Sequence, residues 1–79
     1  MRRLKLIWDF RGPVALQTAT HHEIHLKEYA QIEGLVETVT GVEPQSDMHT
    51  IAFLVVNEDQ MPPVRDALKP HRGQLYTQI

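Results

Sequence analysis

Met48-His49-Thr50-Ile51-Ala52-Phe53-Leu54-Val55-Val56 is the most apolar stretch of the chain, and its reading decides the fold. Ile51 to Val56 are all apolar, with none of the alternation of a half-exposed strand. A short continuous run of this kind reads as a strand buried on both faces, in the middle of a sheet. Before it, Glu43-Pro44-Gln45-Ser46-Asp47 has turn chemistry, and Leu35 to Val42, rich in Val and Thr, reads as another strand. After it, Asn57-Glu58-Asp59-Gln60 offers capping side chains. Met61, Val64, Ala67 and Leu68 then recur at helical spacing through Lys69. Pro62 and Pro63 fit only the first turn of that helix, where backbone N–H groups have no helical partner, so the cap falls near Gln60. Pro70 closes the helix, Gly73 turns the chain, and Gln74 to Ile79 reads as a last strand.

Working toward the amino terminus, Pro13 to Glu33 contains no internal Pro or Gly. At about 100° per residue, Ala15, Ala19, Leu26 and Ala30 form one stripe of an amphipathic helix, flanked by Val14, Tyr29 and Ile32. Gly34 stands where such a helix ends. Ahead of it, Arg2 to Phe10 alternates: Leu4, Leu6, Trp8 and Phe10 fall on one side, and Arg3, Lys5, Ile7 and Asp9 on the other. Gly12 and Pro13 separate strand from helix.

The element order is therefore βαββαβ, the ferredoxin-like split pair, in one domain spanning residues 1–79. The expected architecture is α+β: a four-stranded antiparallel sheet with two helices on one face. In that topology the first and third strands are central, and these are the two most apolar ones. Glu37, Thr38, Thr40, Gln74, Thr77 and Gln78 mark the second and fourth as edges. Helices cover one face only, yet Ile51, Phe53 and Val55 alternate with Ala52, Leu54 and Val56. An apolar face without helices predicts a homo-oligomer, most simply a dimer packed sheet to sheet.

Composition narrows the function classes. The 79 residues include no cysteine, which excludes disulfides, thiolate metal sites and thiol catalysis. Ten acidic against eight basic side chains, a net charge of −2, argue against a dedicated nucleic-acid binder. The segment from Met48 to Val55 also lacks the Gly and basic residue of an RNA-binding RNP1 run. No stretch approaches the roughly 20 apolar residues of a membrane span, and the apolar run behind Arg2, Arg3 and Lys5 is too short for a signal peptide. The expectation is a cytoplasmic protein with no membrane and no nucleic-acid partner.

Five histidines are the main chemical feature, three of them in Thr20-His21-His22-Glu23-Ile24-His25. His21 and His25 lie one helical turn apart, and an i, i+4 pair can present two imidazole nitrogens to one ion. His22 falls on the face that meets the sheet, His25 borders that face and His21 points toward solvent. The expected site is a divalent transition metal, zinc, nickel or copper, held by His22 and His25 and completed by His21 or His49. Alternatively a small molecule is bound there, with Trp8 and Tyr29 walling the cleft. His49 reaches that cleft only if Ile51, Phe53 and Val55 are the inward set; otherwise it lies on the association face. Glu28 and Glu33 are possible carboxylate ligands, and His71 is expected at the carbonyls ending the second helix.

Two other readings stand beside this one. In a dimeric α+β-barrel enzyme His22 would be the acid or base, with Asp9 near it. In a regulatory module, Asp59-Gln60-Met61 through Leu68 after an apolar strand resembles the second half of nitrogen-regulatory P-II and amino-acid-sensing ACT domains. The turn at Glu43 to Asp47 is far shorter than the P-II regulatory loop.

Overall fold

The structure is a computed structural model that describes residues 2–76. Its elements are β1 (Arg3–Arg11), α1 (Ala15–Ile32), β2 (Val39–Ser46), β3 (His49–Asn57), a 3-10 turn (Glu58–Gln60), α2 (Met61–Leu68) and β4 (Arg72–Leu75). The sheet order is β2-β3-β1-β4, with every neighbouring pair antiparallel. This is the ferredoxin-like βαββαβ arrangement, and its two central strands are the two that the apolar pattern selects.

Trp8, Leu6, Ala52, Leu54 and Val56 form the helix-facing core with Ala19 and Leu26 of α1 and Val64 of α2. Small side chains at Ala15, Ala19 and Ala30 keep the buried stripe of α1 thin. Trp8 spans to α2, where its Nε1–H donates to the carbonyl of Leu68 at 3.0 Å. The carbonyl contact expected of His71 is thus made by Trp8 instead. At the end of α1, Gly34 adopts φ +66°, and the amides of Gly34 and Leu35 donate to the carbonyls of Gln31 and Ala30. That pair of bonds is the Schellman closure, which requires a left-handed residue at this position.

The inward set on β3 is Ala52, Leu54 and Val56, so His49, Ile51, Phe53 and Val55 occupy the helix-free face. Ile7, Ile51 and Val55 are nevertheless only 2%, 4% and 0% exposed. Their neighbours on this face shield them. The Phe53 ring lies over Gly41 of β2, where an added Cβ would come within 2.5 Å of it. Lys5 Nζ sits 4.4 Å from the centre of that ring and donates to Glu43 at 2.9 Å. The exposed apolar surface on which sheet-to-sheet association was expected is therefore smaller than the strand pattern implies.

β2, the turn after α2 and the start of β4 depart most from the sequence reading. β2 runs from Val39 to Ser46 instead of Leu35 to Val42, and Glu43-Pro44-Gln45-Ser46 belong to the strand. Proline is tolerated there because β2 is an edge, and a register irregularity between Pro44 and Ser46 absorbs the misfit. The turn after α2 is made by Lys69 at φ 49°, whereas Gly73 sits inside β4 opposite Leu6. β4 begins at Arg72, two residues earlier than expected. The expected continuation through Thr77 to Ile79 lies outside the described residues.

Candidate functional site

Polar groups converge at one end of the sheet, where β1 ends and β3 and β4 begin. On the helix-free face, Asp9 stands opposite Ile51, while His49 stands opposite Arg11 and Arg72 opposite Ile7. Asp9 is thus the diagonal neighbour of both His49 and Arg72, within reach of side chains of that length. His49 Nε2 lies 2.7 Å from Asp9 Oδ1. Arg72 donates from Nε to Asp9 Oδ2 at 3.0 Å and from its Nη2 to Oδ1 at 3.1 Å, a two-point grip on the carboxylate. The backbone N–H of Asp9 donates to His71 Nδ1 at 2.8 Å, and the backbone N–H of His71 donates to the carbonyl of Ile7.

These bonds set the protonation of the group. The Arg72 hydrogen bonds hold the Asp9 carboxyl down to about 2; burial opposes them, and the His49 bond and both positive charges add to them. An ionised carboxylate only accepts, so the contact with His49 places a proton on Nε2 and leaves the lone pair of the neutral ring on Nδ1. By the same reasoning His71, which accepts at Nδ1, carries its proton on Nε2. A carboxylate-anchored imidazole next to a guanidinium can bind an anion and can take up or return a proton.

The opposite face of the same sheet end carries His22. Its ring lies 5.1 Å from the Trp8 ring and 5.3 Å from the Phe10 ring, between centroids. It occupies the gap between Ala19 and Leu26 in the buried stripe of α1. Its Nε2 is buried and has no hydrogen-bond partner. Burial first, then the charges of His25 and His71, lower the His22 pKa, which favours the neutral ring.

Of the residues read as candidate ligands, His21 and His25 are brought together, with Nε2 atoms 3.1 Å apart. His22 points away from them into the aromatic pair, and His49 is on the far side of the sheet. Among the described residues, no group of three or more His, Asp or Glu side chains is arranged to share a metal ion. Trp8 is a core residue, 4% exposed, and Tyr29 packs at the core's margin. Asp9 pairs with His49, with the sheet between it and His22. Arg72, His71 and Phe10 were not legible as site residues. Arg72 belongs to no motif, and only the β1–β4 register brings it beside Asp9.

Two grooves are also present. One, of about 470 Å³, runs between α2 and β4, lined by Leu4, Leu6, Met61 and Leu75 together with Arg65 and Arg72, so it adjoins the Asp9 group. The other, of about 290 Å³, lies between α1 and β2 beside Lys27 and Thr40. The Asp9 group has the better claim as the chemical site, because it combines an imidazole anchored on a carboxylate with a guanidinium. None of the helices described is long and apolar enough to cross a membrane. The domain is a compact α+β unit consistent with a small-ligand or interaction module. No known protein family, curated protein or solved structure matches the chain.

Proposed function

We propose that this domain binds a small oxyanion-bearing molecule, a carboxylate or a phosphate, at the Asp9–His49–Arg72 end of the helix-free face. The arrangement around Asp9 carries this reading. Contact with Asp9 uses Nε2 of His49 and two of the five N–H donors of Arg72. The imidazole Nδ1 and three guanidinium N–H groups are left to meet a ligand. Arg11, the cross-strand neighbour of His49, adds a second positive charge on the same face. Asp9 has two roles: it fixes the His49 tautomer, and it stabilises the imidazolium whose Nδ1–H donates to the oxyanion once the ring has taken up a proton from solvent.

The test is a nuclear magnetic resonance titration of the full chain with inorganic phosphate and, separately, with acetate. Saturable shifts confined to His49, Arg72, Arg11 and Asp9, weakened at least tenfold in Arg72→Gln, are expected. Absence of saturable shifts with both probes, or equal binding by Arg72→Gln with its fold intact, refutes the reading.

A further inference from the structure

We infer that His21 and His25 form a two-imidazole chelate for a divalent transition metal on the solvent face of α1, independent of the Asp9 site. Two imidazole nitrogens at about 2.05 Å from a metal are about 3.3 Å apart at a tetrahedral angle and about 2.9 Å apart at a right angle. The 3.1 Å separation of the two Nε2 atoms falls between these values, the spacing that a shared ion requires. They meet edge to face, with centroids 4.7 Å apart and planes 84° apart.

Glu28 stands beside the pair. Its Oε1 lies 3.2 Å from His25 Nδ1, an i, i+3 contact on the same helix. A carboxylate at Nδ1 favours the proton there and leaves the Nε2 lone pair for the metal, the usual outer partner of a metal-bound histidine. Without metal, His21 Nε2–H donates to that lone pair. Metal uptake requires only that the His21 proton move to Nδ1 through solvent, and the ring is exposed. His22 takes no part, since its ring is held between Trp8 and Phe10. The protein supplies two ligands and water the rest, which suits nickel or copper as well as zinc.

Titration of the full chain with nickel chloride, followed by calorimetry and by the thermal midpoint, tests the inference. One-to-one binding is expected, with a raised midpoint. Affinity should fall at least tenfold in His21→Ala and in His25→Ala, and severalfold in Glu28→Gln; His22→Leu should bind as the parent does. No saturable binding, or binding that survives the double variant His21→Ala/His25→Ala, overturns the site. Unchanged affinity in Glu28→Gln overturns the orienting role given to that carboxylate.

Discussion

Replacing Asp9 by asparagine keeps the shape of the side chain and removes its charge, so it isolates what the Arg72 and His49 contacts contribute. The carboxyl is held at about 2 against an ordinary 3.8. At about 1.4 kcal/mol per unit, that depression corresponds to roughly 2.5 kcal/mol. Asp9 is 16% exposed and Arg72 51%, so water screens part of this and about 1–2 kcal/mol is the expected net value. For a domain of this size each kcal/mol moves the melting midpoint by about 4–8 °C, so Asp9→Asn should melt roughly 5–15 °C lower at pH 7. The sign of the pH dependence follows from the direction of the shift. The folded carboxyl is the stronger acid, so its contribution is complete above the unfolded value near 4 and is lost as pH falls toward 2. Other carboxylates also titrate in that window, and the informative quantity is therefore the difference between parent and variant. Urea unfolding at pH 6, 4, 3 and 2 should show that difference shrinking toward zero. A constant difference across the series, or an Asp9 carboxyl carbon that titrates near 4, would refute the reasoning.

The helix-facing side makes a separate prediction about His22. Its folded pKa is lowered, so stability is full above the ordinary value of 6.5 and declines as pH falls below it. His22→Leu removes a buried nitrogen without a partner; it should raise stability by about 1 kcal/mol and flatten the urea midpoint between pH 7 and 5. A less stable variant with unchanged pH dependence would show that the ring has a partner in solution. At Gly41 the test is steric. Gly41→Ala drives a methyl group into the Phe53 ring and should cost about 1–3 kcal/mol, and the added variant Phe53→Leu should recover part of that loss. A neutral Gly41→Ala, by thermal denaturation, would mean that the ring lies elsewhere.

The parts of the fold that were legible in the sequence are those governed by local period. Leu4, Leu6, Trp8 and Phe10 alternate because β1 has one face under the helices, and Ile51 to Val56 are continuous because β3 is central. β2 was misplaced because its tip carries turn-forming residues at an edge, where proline and polar side chains are compatible with pairing. Among the histidines, the wheel placed His22 inward and set His21 and His25 one turn apart, as they are found. The Asp9 group was not legible, because 40 residues separate Asp9 from His49 and 63 separate it from Arg72. Only the register of three strands brings them together. The inward set on β3 could not be chosen from the pattern, since both faces of that strand are apolar.

The Lys5–Phe53–Glu43 overlay constrains anything that meets the sheet from its bare side. A body approaching that patch encounters an ammonium, itself mostly buried, resting on a ring and tethered to a carboxylate. It must strip water from that ion pair before it can touch the aliphatic side chains beneath. A greasy partner gains little by doing so, whereas one bearing its own acidic groups can take over the lysine without leaving it unpaired. Around the Phe53 ring this face presents charge ahead of aliphatic contact, while Val39 of β2 beside it is 39% exposed.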